Sequence, residues 1–464
     1  MREIVLLVVI ALLLVNASCK KDDKDQTTQT QQTSKAVANF TFSTDNSKYP
    51  FLVVNYTNIS TNATSYIWDF GDGQTSTEKN HSHTFHNDGT FQTKLTAVSS
   101  GGNSTISKGV TVYAPELASA TLAQLSDVTI REVYGSTDTT VYDHIAFPDI
   151  AKLSDGRLIV TWREATAHMQ NGQGKIMKSF GSGDGITWTN AELLYDDPKM
   201  DDRDFSITRL SNGTLLGDFF KSYDGGTFIT KSTDDGKTFS APVRINTLSG
   251  WAIPSAQTID YNGTLWIPTY GNDGTYSKSR IFMFKSNNMG DSWTEEAIAP
   301  DNMKNWDLQE PAILKANNNR LIMHVRTANS VPPYGMGNMF QSISDDGGKT
   351  WSTWKSFPFI GHAPELYRTE SGVIISAFRW IDNTASHSYV GMIYSTDNGS
   401  TWSDVIHVAE SDYECGYPGI ESLGNDKFIV VYYRTLLTDN NTNIKMQIRG
   451  TIFQCNAVMK SKKK

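Results

Sequence analysis

Four arginines stand late on the second strand of recurring hairpins: Arg163, Arg326, Arg379 and Arg434. Guanidiniums gathered at one level make a site for an anionic group, because the planar fork of Arg grips a carboxylate through two hydrogen bonds. The first strands of these hairpins begin at X-Pro: Phe147-Pro148, Ile253-Pro254, Glu310-Pro311, Ala363-Pro364 and Tyr417-Pro418, with Asp204-Phe205 in the second. In a hairpin the second strand ends near the level where the first began, so both sets crowd one mouth. Asp201, Asp202, Arg203 and Asp204 enter there in the second hairpin, His362 and Glu365 in the fifth, and His144 just before the first. Carboxylates and imidazoles around an anion pocket can pass protons to and from a bound molecule. A single Arg could equally pair with Glu164, Asp204 or Glu365 and merely hold the structure together. Four at equivalent places favour a ligand.

The elements that must position these groups repeat at steps of about fifty residues. Turn signals at Asp155-Gly156, Asn212-Gly213, Asn262-Gly263, Asn318-Asn319, Ser371-Gly372 and Asn425-Asp426 each precede an apolar run such as LIVTW, LLGDFF or FIVVYY. Six such hairpins, each part of four strands, predict an all-β chain with a six-bladed β-propeller. A second mark falls in the same frame. SDDGGKTW (344–351) and STDNGSTW (395–402) match S-x-D-x-G-x-T-W, and STDDGKTF, SNNMGDSW and GSGDGITW are variants. The carboxylate of Asp234, Asp346 or Asp397 can accept N–H groups of its own turn, Gly supplies a positive φ, and the ring packs between blades. These boxes are expected to be staples rather than catalytic acids. The strand LSDVTIREVYG (125–135) is expected to lie outside IKMQIRGTIF (444–453) and complete the sixth blade.

Asp boxes, six blades and the pair Glu310 with Arg326 resemble the sialidase (neuraminidase) superfamily over residues 125–455. There a Glu beginning the fourth hairpin partners a Tyr beginning the sixth, and here that place is held by Tyr417. The resemblance implies Tyr417 as nucleophile, Glu310 as its base and Arg326 as one clamp on the substrate carboxylate. Sialidases with a Tyr nucleophile stand outside the two-carboxylate scheme of most glycosidases. A neutral phenol avoids the repulsion that an anion would meet beside a sialic acid carboxylate. The chain also departs from the family. Its first hairpin carries Ala146 where the family has an Arg two residues before the Pro. Its first returning strand ends WREATAH, offering Glu164 and His168, with Asp204 nearby, where the family has an acid/base Asp. Before the last box it has Ser386-His387-Ser388 in place of the third arginine, for which Arg379 or Arg434 would substitute.

Residues 36–113 have their own strand pattern. YIWDFGDGQTSTEKNHSHTFHNDGTFQTKLTAV (66–98) resembles the PKD domain, an immunoglobulin-like sandwich that commonly serves as a spacer or adaptor. Trp68 and Phe70 would face its core, Asp72-Gly73 would turn a hairpin, and His83 would be structural, so no chemistry is expected there.

Residues 1–18 read as a signal peptide, too short for a comfortable membrane span, and Cys19 as a lipidation site. Residues 19–35 would be a polar tether, 114–124 a linker and 456–464 a basic tail. Cys19 followed by acidic residues resembles the surface-export signal of Bacteroidota lipoproteins, which implies an outer-membrane protein anchored through lipid. The formal charge of −8 argues against nucleic acid as a partner. Cys415 and Cys455 could form a disulfide or remain two buried thiols. No ligand spacing calls for a metal or cofactor. The chemistry expected is removal of a terminal, acidic sugar from a glycan or polysaccharide. A glycan-binding propeller without catalysis and a polysaccharide lyase acting on uronates are the alternatives.

Overall fold

The computed structural model describes residues 34–460 apart from 46–51, 86–88, 113–115, 137–143, 169–173, 223, 247–249, 273, 275–277, 299–305, 330–334, 382–387 and 439–442. Cys19, the signal peptide, residues 19–33 of the tether, His86 of the PKD-like stretch and the pair Ser386-His387 therefore lie outside the described residues. No helix among those described is long and apolar enough to cross a membrane.

The first seven strands form two sheets. Phe40–Asp45, Leu52–Asn58 and His81–Phe85 make one, and Thr75–Ser76, Ser65–Asp69, Gly89–Val98 and Ser104–Val112 the other. Trp68 is buried edge-on to Phe40, with ring centroids 5.1 Å apart, and its indole N–H donates to the Glu78 carbonyl at 2.9 Å. Phe70 stacks on Trp68, as the alternation of WDF requires, and the buried His83 ring packs edge-on to Phe85.

From His144 onward the chain builds six sheets, the blades of a six-bladed β-propeller. Their innermost strands are His144–Lys152, Asp202–Arg209, Trp251–Pro254, Trp306–Lys315, Ile360–Arg368 and Cys415–Gly424. The returning strands are Leu158–Ala165, Leu215–Lys221, Thr264–Asn272, Leu321–Asn329, Ile374–Ile381 and Lys427–Thr438. The strand His144–Lys152 touches the innermost strands of the second and sixth blades, and Ile360–Arg368 those of the fourth and sixth. Apolar residues of adjacent blades fill the space between sheets, as where Ile145, Ile150, Val160 and Trp162 meet Ile429, Val431 and Ile448.

The outermost strand of blade six comes from the amino-terminal side. Leu117–Ser136 pairs antiparallel with Asn443–Met459, from Asn443 opposite Ser136 to Met459 opposite Leu117. Two boundaries read from the sequence are thereby corrected. Residues 117–124 are strand rather than linker, and 456–459 continue the last strand rather than starting a tail, because each satisfies the other's backbone groups. Cys415 and Cys455 are both free and buried.

The boxes are closed hydrogen-bond loops. In three of them the Thr hydroxyl and amide donate to the Asp carboxylate, from Thr238 to Asp234, Thr350 to Asp346 and Thr401 to Asp397. The box Ser oxygen accepts the Gly amide at Gly236, Gly290, Gly348 and Gly399. The Thr hydroxyls hold Asp234 and Asp346 down at about 2, as expected of staples.

Candidate active site

The mouth is made by a backbone feature repeated around the ring. Phe147, Asp204, Glu310, Ala363 and Tyr417 all have φ between +45° and +58°. Each sits at a register shift between the innermost and returning strands. A left-handed residue at a bulge re-aims its side chain, here away from the pleat. Such a conformation costs about 1–3 kcal/mol at a non-Gly residue and persists only where the surroundings enforce it. The third blade differs: Ile253, a β-branched residue for which the left-handed region is hardest, is not among these residues, and its strand ends at Pro254. Chemistry-bearing side chains fall on alternate blades: Asp204 on the second, Glu310 on the fourth and Tyr417 on the sixth.

Two of these three are joined directly. The Tyr417 hydroxyl donates to Glu310 Oε1 at 2.5 Å, and Arg326 Nη1 donates to the same oxygen at 2.8 Å. The Ala363 amide donates to Glu310 Oε2 at 2.8 Å. Burial pushes the Glu310 carboxyl up, but the Arg326 charge and the bonds from the Tyr417 hydroxyl and the Ala363 amide outweigh it, and the net shift is down. Glu310 is thus an ionised acceptor. Burial, reinforced by the Glu310 charge, drives the Tyr417 phenol well above its ordinary value, so the resting pair is phenol and carboxylate. Burial also lifts Asp204 to about 6, with Arg203 pulling it down and Glu310 pushing it up, and its Oδ1 is buried without a partner. His362 is buried beside Arg326 and pushed down to about 3, leaving a neutral ring whose Nε2 lacks a partner. Arg326 Nε lacks one as well, and all three absences hold among the described residues.

The arginines do not form one ring of clamps. Arg163 is 0% exposed. It grips Asp201 through two bonds of 2.7 and 2.8 Å and also donates to His144 Nδ1 and the Ala167 carbonyl, so four of its five N–H groups are committed to the protein and the side chain is closed to solvent. Arg379 donates to the Cys415 carbonyl, Glu414 Oε2 and the Tyr433 hydroxyl. Arg203 lies over the Phe147 ring and donates to the His168 carbonyl. Arg434 is a register error in the sequence reading. Arg163, Arg326 and Arg379 pair with Ala146, Gln309 and His362, each one residue before the left-handed position. In blade six the residue opposite Gly416, the equivalent position, is Tyr433, and Arg434 pairs with Cys415. One residue's displacement turns a side chain to the other face of a sheet, and Arg434 accordingly bonds Gln447.

Two further expectations come out differently. Glu164 accepts Arg131 Nε and the Trp162 indole N–H, both at 3.1 Å, which commits it to packing. Glu365 adjoins the site rather than entering it: with Asp149, Asp204 and Tyr417 it lines a cavity of about 30 Å³, room for about one water rather than a sugar. His168, by contrast, is at the mouth, its ring 5.5 Å from that of Phe147, which is 4.7 Å from that of Tyr417.

Glu414 and Tyr433 were not singled out by sequence reasoning, and a positional signal existed for the first. His144, Asp201 and Glu414 each stand three residues before the left-handed residue of their blade. His144 Nε2 donates to Glu414 Oε1 at 2.8 Å, and His168 Nδ1 lies 3.1 Å from Glu414 Oε2. Among the described residues, His144, His168 and Glu414 are the one group of His, Cys, Asp or Glu whose ligand atoms gather within 4.8 Å. They fit a metal poorly. Arg163 can only donate, so His144 Nδ1 accepts, and Nε2 carries a proton where a metal needs a lone pair.

A BNR repeat-like domain matches residues 220–429, and a PKD domain matches residues 34–113. A comparison with curated proteins gives no match. Among solved structures, the chain is similar to a protein of unknown function from Dyadobacter fermentans, with 20% identity over 72% of this chain and 99% of that one and a TM-score of 0.59. It is similar to the Hadza microbial sialidase Hz136 at 15% identity, covering 83% of this chain and 77% of that one with a TM-score of 0.54. It also resembles the GH93 α-L-arabinofuranosidase of Fusarium graminearum, solved with arabinobiose, at 16% identity over 71% and 97% with a TM-score of 0.51. At these identities the likeness is one of fold. The class so defined is a BNR-repeat propeller of sialidase-like fold carrying an immunoglobulin-like PKD domain.

Proposed function

We propose that the protein is a glycoside hydrolase that removes a terminal sugar from a glycan or polysaccharide, with Tyr417 as nucleophile and Glu310 as its base. The observation that carries this reading is the 2.5 Å hydrogen bond from the Tyr417 hydroxyl to Glu310 at the mouth of the propeller. Glu310 takes the phenolic proton as Oη bonds to the anomeric carbon. The bond to the leaving oxygen breaks, and that oxygen takes a proton from a donor at the mouth, for which Asp204 and His168 are placed. Water then attacks the same carbon, the Oη–carbon bond breaks, and the phenolate recovers its proton from Glu310.

Burial keeps the resting phenol neutral, which suits attack beside a substrate carboxylate. This favours a terminal acidic sugar held by Arg326, whose Nε is unpartnered. A neutral terminal sugar is the second reading, favoured by the commitment of Arg163 and Arg379 to protein partners. Hydrolysis of aryl glycosides of N-acetylneuraminic acid, glucuronic acid and L-arabinofuranose tests both. One of the panel should turn over, and Tyr417→Phe should lower that rate by ~10³-fold or more. Equal turnover by the variant would remove Tyr417 from the chemistry. Glycan binding without product would reduce the protein to a binding module, and an unsaturated uronate product would make it a lyase.

The propeller, taken as 125–455 from the sequence, is proposed to be carried at the cell surface on a lipid at Cys19. Cys19→Ala should move the protein from the membrane to the soluble fraction.

A further inference from the structure

We propose that His168 protonates the leaving oxygen and that Glu414 is the positioning residue that holds its ring and decides which nitrogen faces the substrate. The proposal rests on the glycosidase reading above and deepens it.

The protons along this cluster follow from what each group can do. Arg163 Nη1 lies 3.2 Å from His144 Nδ1, and a guanidinium only donates, so that nitrogen accepts. Burial lowers the pKa of His144, which leaves the ring neutral with its single proton on Nε2, directed at Glu414 Oε1 at 2.8 Å. Burial works to raise Glu414, yet the bonds from His144 and His168 hold it well below the carboxylate range. Glu414 is then an acceptor only, with Arg379 Nη2 a third donor at 3.3 Å. His168 Nδ1, 3.1 Å from Glu414 Oε2, must donate to it, and Nε2 is the nitrogen left to exchange protons. Glu414 also offsets the charge of the imidazolium, the form that can act as donor.

The placement suits this role. The Phe147 ring packs against both the His168 ring and the Tyr417 ring. The loop carrying His168 is pinned by Arg163 on the Ala167 carbonyl and by Arg203 on the His168 carbonyl. An enzyme that removes a terminal sugar buries that sugar and leaves the rest of the polymer in solvent, so the leaving oxygen faces outward. The His168 side chain is 41% exposed, whereas Asp204 Oδ1 is buried. In the first step the Nε2–H bond breaks as the leaving oxygen gains its proton. In the second, Nε2 accepts a proton from water as the water oxygen bonds to the anomeric carbon.

Leaving-group dependence tests this on the sugar identified by the panel. A 2,4-dinitrophenyl glycoside departs without a proton and a methyl glycoside does not. His168→Ala, with His168→Gln as a second variant, should lose ~10²–10⁴-fold on the methyl glycoside and little on the dinitrophenyl one. Glu414→Gln should lose less, with its loss again confined to the methyl glycoside, since no anion then fixes the Nδ1–H of the ring. Glu414→Asp should recover part of the methyl-glycoside rate. Equal losses on both glycosides, or leaving-group dependence in Asp204→Asn instead, would overturn the proposal. Activity that a chelator abolishes and Zn²⁺ restores would overturn it in favour of a metal site. A wild-type protein inactive on both glycosides removes the glycosidase reading itself, an outcome distinct from an active enzyme indifferent to His168.

Discussion

Opposite ends of the blades carry repeats written in the same frame, each present in five blades of the six, and they were put to opposite uses. At the boxes every Asp oxygen meets a Thr hydroxyl, a Ser hydroxyl or an amide, and Asp234 and Asp346 sit at about 2. At the mouth Asp204, Arg326 and His362 each keep a buried polar atom without a partner, and Asp204 is held up at about 6. The boxes spend their polar groups on the backbone, while the mouth holds them in reserve. Unsatisfied buried groups are costly, so a native fold keeps them where a ligand will complete them.

The largest expected effect lies at the mouth. Glu310→Gln should lower kcat by ~10²–10⁴-fold by removing the acceptor of the Tyr417 proton, as steady-state kinetics would report. Next comes a residue at the mouth that behaves like a staple. Arg163→Ala leaves the buried Asp201 with only the more distant Arg203 for a cation and should cost ~3–5 kcal/mol in denaturant unfolding, whereas Arg434→Ala should leave kcat/KM unchanged. A substrate-dependent loss in Arg434→Ala would restore that residue to the site.

The third contrast is one of sign with pH. A carboxyl whose folded pKa is raised destabilises the fold once the unfolded chain ionises, so the contribution of Asp204 is lost as pH rises from about 4 through about 6. Asp204→Asn should flatten that loss, gaining ~1–3 kcal/mol at pH 7 in urea titrations. Asp346 works the other way. Its stabilisation is present above the unfolded value and fades as pH falls towards about 2. The smallest effect is Asp346→Ala, which should lower Tm modestly above pH 5 and leave kcat/KM untouched. A box substitution that altered catalysis first would erase the contrast.

Much of this was legible in the sequence because repeats report on geometry. The six blades, the boxes and the meeting of Glu310 with Tyr417 follow from spacing and from the sialidase resemblance. Arg434 misled because it stands eight residues after Asp426, whereas Arg163, Arg326 and Arg379 stand seven after Gly156, Asn319 and Gly372, and the residue seven after Asp426 is Tyr433. Arg163 misled differently. Its partner Asp201 is 38 residues away, and no local pattern tells a clamp on a ligand from a clamp on a neighbouring blade. Glu414 acts through contacts with blades one and five, which a periodic reading of single blades does not join. The left-handed residues were hidden too, since X-Pro ordinarily signals an extended residue before the proline.

The shared sixth blade sets an order on biosynthesis. Leu117–Ser136 is made early, yet contacts such as that of Thr129 with Arg449 span 320 residues. At ribosomal rates the wait is roughly 15–60 s. For that interval a long strand with a bare edge is exposed to whatever else is nearby, and the newly made chain is most open to strand exchange with a sister copy until its last blade is sealed.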